Sequence, residues 1–430
     1  MAGSERLVGE LVELDIGPIA HGGHCVARLP GDSRAMVVFV RHAVPGERVR
    51  ARITEAATGF LRADAVEVLS PSPERVVPPC RYAGVCGGCD FQHVALPEQR
   101  RLKAAVVREQ FARLARVDLA AEGLDPVVEA VPGDRDGLAW RTRVEFAIDP
   151  RTGAAGLRRH RSHDVVPIER CLIASPGVTD ADVTSRAWPD AESIDVTETS
   201  HGEVVVSVLP SHAGRDRRIL EGVDGLGDLA LDATGFWQVH PGAASSFVAT
   251  VLDLLDPQPG ERALDLYCGV GLFAAALAER VGPLGQVIAV ESEQRATAYA
   301  RENLKSHRHA LVLDGRVDDL FGVARQKRRG PSRRQRPARG PRGPVRSPLL
   351  PQSADLVVLD PPRTGAGAGV VAAVSDLRPR AVAYVACDPA ALARDTATFL
   401  TSGYALAGLR CFDAFPMTHH LECIALFVRR

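Results

Sequence analysis

The chain has 430 residues, 46% of them hydrophobic and 5% aromatic, with a formal net charge of −1; that length accommodates two or three domains. No apolar run is long enough to span a bilayer, and Met1-Ala-Gly-Ser-Glu-Arg6 lacks a signal-peptide core, so a cytoplasmic α/β protein is expected. Nine cysteines, an odd number with three inside ten residues, argue against a secreted disulfide framework and for metal binding or thiol chemistry.

Residues 1–70 read as short strands between turns, with candidates at Leu7–Leu14, His24–Leu29, Met36–Val40, Arg48–Thr54 and Ala63–Leu69. They fit an N-terminal OB-like β-barrel that binds oligonucleotides, and equally a small barrel used only for packing. A proline-rich linker from Ser70 to Pro79 follows. A small α+β middle domain is expected over 71–230, with a helix near Glu98–Val117 and strands such as Thr142–Ile148 and Val204–Leu209. The helix carries Arg100, Arg101, Lys103, Arg108, Arg113 and Arg116, which read as a solvated face.

Within that middle domain, Cys80, Cys86 and Cys89 crowd a glycine-rich loop of the kind that folds around an iron–sulfur cluster. A cluster needs a fourth ligand, and Cys171, ending a basic segment that begins at Leu157, is the best candidate. Zinc is the competing reading. Zinc sites more often use two matched short cysteine pairs, which favours the cluster.

From Gly260 the pattern becomes strand–helix alternation, the mark of a doubly wound parallel sheet, within a third domain placed at 231–430. Strands are expected at Arg262–Tyr267, Val287–Glu291, Leu311–Leu313, Asp355–Leu359 and Val382–Ala386. Ala405–Cys411 and Glu422–Val428 then read as an added antiparallel pair. A basic insert at 325–349 interrupts the alternation. Ten of the 52 Lys and Arg lie between Arg325 and Arg346, leaving 42 against 53 Asp and Glu elsewhere. Its composition predicts disorder, and it reads either as a grip on RNA phosphates or as a solvated loop.

The chemistry concentrates at the predicted strand ends. Gly269 and Gly271 follow the first strand and open a helix near Leu272, where backbone can approach a nucleotide-like cofactor. Glu291 ends the next strand, suited to ribose hydroxyls, although a nicotinamide enzyme would share that feature. Asp360-Pro-Pro-Arg363 ends the fourth and Cys387 the fifth, while Glu422 opens a strand running back from the same edge. A thiolate adding to C6 of a pyrimidine turns C5 into an enolate carbon able to take a methyl group. A carboxylate then removes the C5 proton, and the target base must be unstacked to reach the site. Cys268, Cys411 and Cys423 read as buried hydrophobes. A helix start near Pro389 would lower the Cys387 thiol, with Asp388 opposing it.

With these residues in place, the chain resembles the RNA uracil-5-methyltransferase family over nearly its whole length, closest to 23S rRNA-type members with a TRAM domain and a [4Fe-4S] cluster. The resemblance rests on Cys80/Cys86-Gly-Gly-Cys89, Gly235-Phe-Trp-Gln238-Val, Asp265-Leu-Tyr-Cys-Gly-Val-Gly271, Asp360-Pro-Pro-Arg, Cys387-x-Pro389 and His420-Leu-Glu422. It implies a class I S-adenosylmethionine methyltransferase sheet, with Cys387 as nucleophile and Glu422 as proton acceptor. Gln238, Tyr267, Glu291 and Asp360 would line the S-adenosyl-L-methionine and uracil site, and Cys80, Cys86, Cys89 and Cys171 would hold the cluster. The implied partner is RNA, ribosomal rather than transfer. Transfer-RNA uracil-5 methylation, RNA cytosine-5 methylation and a non-catalytic RNA-binding factor stand as alternatives. One departure is Ala386-Cys387-Asp388-Pro389, where the family commonly has Ser-Cys-Asn-Pro.

Overall fold

The computed structural model describes residues 7–29, 36–210, 217–323 and 346–430. Most of the expected basic insert lies outside the described residues.

Residues 11–70 build a six-stranded sheet in the order Leu11–Asp15, Arg48–Ala57, Phe60–Ser70, Val37–Arg41, His24–Arg28, Ile19–Ala20. Its pairings run from one edge to the other, and no ladder closing it into a barrel is found among the described residues. Strand alternation explains its core: Val49, Ala51 and Ile53 are buried, while Arg48 and Arg52 point to solvent. A second, five-stranded antiparallel sheet spans Arg143–Leu209 and packs around Val144, Phe146, Ile194 and Val196.

The third sheet has eight strands. Its order is Ala310–Asp314, Gln286–Glu291, Arg262–Leu266, Leu356–Leu359, Ala381–Ala386, Glu422–Arg429, Tyr404–Asp413, Val128–Ala130. The first five are parallel, and Glu422–Arg429 runs antiparallel to both of its neighbours, as the sequence leads one to expect. Leu356–Leu359 and Ala381–Ala386 are buried throughout, because helices cover both faces. Strand order reverses between Arg262–Leu266 and Leu356–Leu359, which opens a crevice at their carboxyl ends.

The helix Leu96–Gln110, continued by a π-helical turn at Phe111–Ala115, packs into this third core through Ala104, Val107, Phe111 and Ala115. Arg101, Arg108, Arg113 and Arg116 are exposed, the solvated face expected, but Arg100 and Lys103 turn inward. Lys103 is 1% exposed and sits 2.5 Å from Asp413. Arg100 bridges Asp134 and Asp413, and Arg108 pairs with Asp125. Gln99, Lys103, Val107 and Phe111 share one i, i+4 stripe, so position 103 faces inward whatever residue occupies it.

Candidate active site

Three acidic side chains meet at the carboxyl ends of the parallel strands. Asp265 is fully buried; its Oδ2 accepts the Ala274 N–H at 2.8 Å, and its Oδ1 has no hydrogen-bond partner among the described residues. Burial, then the charge of Asp360, pushes the Asp265 carboxyl up to about 8. Asp360 itself is pushed up to about 7 by burial and by Glu291. Glu291 accepts backbone N–H groups from Gly269 at 3.0 Å, Ser292 at 2.6 Å and Glu293 at 2.8 Å. The turn that brings Gly269 there takes left-handed backbone at Tyr267 (φ 68°), Gly269 (φ 55°) and Gly271 (φ 91°). Burial also raises the phenol of half-buried Tyr267, whose charged neighbours are Asp318, Asp395 and Arg316 rather than these acids.

Carboxyls crowded at a buried sheet edge, one oxygen unpartnered among the described residues, are costly by themselves. A ligand carrying positive charge and hydrogen-bond donors offsets that cost. S-adenosylmethionine fits, with its ammonium, sulfonium and ribose hydroxyls. Gln238 is buried in the loop before the helix Ala243–Leu255, and no hydrogen bond joins it to these acids among the described residues.

Next along the sheet, Ala386 pairs with Cys423, so Cys387 and Glu422 fall one step further on the same antiparallel pair. Cys387 faces a cleft of about 180 Å³ walled by Lys103, Arg363, Asp388 and His420, and by His21–Gly23 of the N-terminal sheet. Burial and the neighbouring Glu422 push the thiol up to about 11, with Arg363 working the other way. The helix Pro389–Thr401 does begin beside the thiol, but burial and Glu422 outweigh any lowering it supplies. Burial and Asp360 push the Glu422 carboxyl well above its usual range, again against Arg363. Arg363 is thus the cation that favours both anions the chemistry requires.

Asp388 turns out to be occupied. Its Oδ1 caps the helix by accepting the Ala391 N–H at 2.7 Å, and its Oδ2 lies 2.9 Å from His21 Nε2. Although burial opposes it, these contacts hold the carboxyl below its ordinary value. Cys268, Cys411 and Cys423 are buried, as their apolar surroundings suggest.

The segment leading into Glu422 is tied down by residues that sequence reasoning missed. Lys103 Nζ donates to Asp413 and, at 3.1 Å, to the Phe415 carbonyl. The N–H groups of Asp90 and Phe91 both donate to the Met417 carbonyl at 3.0 Å. His419 Nδ1 sits 2.5 Å from Asp90, and despite burial this contact holds Asp90 down at about 2. The cysteine loop therefore braces the segment that leads into Glu422. Only the inward register of position 103 could have signalled any of this.

Cys80, Cys86, Cys89 and Cys171 line one hollow. The Gly88 N–H donates to Cys86 Sγ at 3.4 Å and the Gln92 amide to Cys89 Sγ at 3.3 Å. Burial raises the thiols of Cys86, Cys89 and Cys171. Among the described residues no group of three or more His, Cys, Asp or Glu side chains is arranged to hold a metal ion. No helix among them is long and apolar enough to cross a membrane.

A doubly wound sheet, a glycine turn at its switch point and an acidic crevice suited to a cationic nucleoside define an S-adenosylmethionine-dependent methyltransferase. Comparison with known proteins agrees. Residues 233–430 match the family described as tRNA (Uracil-5-)-methyltransferase, and residues 5–66 match the TRAM domain. An uncharacterized RNA methyltransferase of Streptomyces coelicolor is 44% identical, with 98% of this chain and 93% of that protein aligned. The 23S rRNA (uracil(1939)-C(5))-methyltransferase RlmD of Cronobacter sakazakii is 33% identical over 95% of this chain and 94% of its own length. The Pyrococcus abyssi tRNA (uracil-54, C5)-methyltransferase, solved with S-adenosyl-L-homocysteine, shares the fold at a TM-score of 0.66 and 21% identity, covering 96% of this chain and 99% of that one. The chain belongs to the RNA uracil-5-methyltransferase family.

Proposed function

We propose that this protein transfers a methyl group from S-adenosylmethionine to C5 of a uridine in RNA, ribosomal rather than transfer RNA. The observation carrying this reading is the juxtaposition of the Cys387 thiol and the Glu422 carboxyl beside Arg363 at the crevice edge. Relatives named for 23S rRNA uracil-C5 methylation, at about one-third identity over most of both chains, support the choice of base and RNA.

The residues act as follows. Cys387, once deprotonated with Arg363 as counter-charge, bonds to C6 and sends the ring π-electrons toward C5 and the O4 enolate. Asp265, Glu291 and Asp360 would hold the cofactor, with Tyr267 and Gln238 proposed to complete its site; when bound it would supply an electrophilic methyl group to C5 and leave as S-adenosylhomocysteine. Glu422, ionised, takes the C5 proton; the C–H electron pair re-forms the C5=C6 double bond, the C6–S bond breaks and the thiolate leaves. Its burial leaves it strongly basic once ionised, which suits removal of a carbon-bound proton. From the four thiols that line one hollow we infer that Cys80, Cys86, Cys89 and Cys171 would hold a [4Fe-4S] cluster, although among the described residues they do not converge as a metal-holding group. Its role would be structural, because Asp90 and Phe91, next to Cys89, clamp the segment that carries Glu422.

The test is to incubate anaerobically purified protein with labelled S-adenosylmethionine and unmodified ribosomal or transfer RNA, then digest to nucleosides. 5-Methyluridine from ribosomal RNA is expected with wild type and not with Cys387→Ala. 5-Methylcytidine would reassign the base, and product from transfer RNA alone would reassign the RNA. No product from either RNA would refute the enzyme reading.

A further inference from the structure

His21 stands at the tip of the hairpin between Ile19–Ala20 and His24–Arg28, in the N-terminal sheet. Its Nε2 lies 2.9 Å from Asp388 Oδ2, a contact between residues 367 apart in sequence. Asp388 directly follows Cys387 and caps the next helix with its other oxygen. One carboxylate is therefore shared between the helix behind the nucleophile and a hairpin from another domain. The hairpin is also pressed against the catalytic segment. Gly23 has φ 78°, and a Cβ there would sit 2.8 Å from the His419 side chain. His21, Gly22 and Gly23 wall the same cleft as Cys387.

We propose that His21 is a positioning residue for the nucleophile: seated on Asp388, it balances the carboxylate beside Cys387 and latches the N-terminal domain over the cleft. The thiol's role rests on the function proposed above, but the latch can be read without RNA or cofactor. Among the described residues, charged groups on three neighbouring elements act on His21. Asp388, from the turn after Ala381–Ala386, and Glu109, from the helix Leu96–Gln110, favour the imidazolium; Arg394, from the helix Pro389–Thr401, opposes it. The net effect raises the His21 value, Asp388 being the main cause. The latch is thus charged at acid pH and is lost as pH climbs through that raised value. Without the imidazolium, Asp388 keeps the Ala391 N–H and the charge of Arg394 but loses its ion-pair partner, and a less compensated anion beside the thiol disfavours a thiolate. This also accounts for an acid in the position where the family commonly carries Asn: the charge is tolerated because a histidine answers it.

The experiment measures alkylation of Cys387 by iodoacetamide in the full-length protein, read by mass spectrometry of its peptide from about pH 6 to pH 9. His21→Ala is expected to slow alkylation by roughly three- to tenfold at the acid end, the gap narrowing as pH rises. His21→Gln keeps a donor without the charge and should recover only part of the rate. Asp388→Asn, which preserves a good helix cap, should not slow alkylation, and adding it to His21→Ala should restore the lost rate. A hairpin contact that serves packing alone predicts equal slowing at every pH and no rescue by Asp388→Asn; either result overturns the latch. Single-turnover methylation should follow the same order among the variants. If wild type alkylates with the expected pattern yet methylates no RNA, the latch stands and the methyltransferase assignment falls.

Discussion

Asp265→Asn isolates the electrostatic cost of the cofactor crevice. The buried carboxyl rests at about 8 against an ordinary 3.8, so the folded state holds a proton that the unfolded chain releases well below neutrality. Wild-type stability should therefore fall as pH rises between those two values and level off above the upper one. At ~1.4 kcal/mol per pH unit the ceiling is roughly 6 kcal/mol. Asp360 shares the same repulsion, and relaxation shares it further, so about half that figure is the expected observable. Asparagine keeps an acceptor for the Ala274 N–H and removes the ionisation. In the absence of nucleoside, the variant should out-melt wild type by roughly 6–12 °C near pH 9, at about 2–4 °C per kcal/mol for a domain this large. Near pH 4.5 the gap should shrink to ~1 kcal/mol or less. Differential scanning calorimetry across this range is the assay. With saturating S-adenosylhomocysteine the order should narrow or reverse, because the ligand stabilises the form that binds it. A melting gap independent of pH, or wild type gaining on the variant as pH rises, would refute the account of this pocket.

Three further outcomes are expected. Glu422→Gln should leave Cys387 able to add to the ring but unable to be expelled, so a covalent protein–RNA adduct resistant to denaturant should accumulate; Cys387→Ser should show none, with RNA affinity unchanged in filter binding. Lys103→Met should cost roughly 3 kcal/mol in urea unfolding, because Asp413 stays buried with Arg100 as its remaining cation among the described residues, and Lys103→Met with Asp413→Leu should recover most of it. Anaerobically purified wild type should carry about four irons and as much acid-labile sulfide per chain, with both lost in Cys89→Ser; one zinc instead would reject the cluster.

The alternation of apolar strands and helices after Gly260 was legible because a parallel sheet covered on both faces must be written as nearly continuous apolar runs. The strand ends carrying Glu291, Asp360, Cys387 and Glu422 followed from that pattern, since open sheets place ligands at their carboxyl edge. Membership of the family was legible too, from motifs that are local in sequence. Contacts closing over hundreds of residues were not. No periodicity shows that His21 reaches Asp388, that Asp90 clamps His419, or that Lys103 is buried against Asp413 rather than solvated. Nor does it show that residues 128–130 complete the methyltransferase sheet from outside its own stretch of chain. Hydrophobic patterning reports which way a residue faces, and that is set locally by helix and strand geometry. Which charge meets which across a domain boundary depends on how finished surfaces pack, and only the tertiary structure decides it.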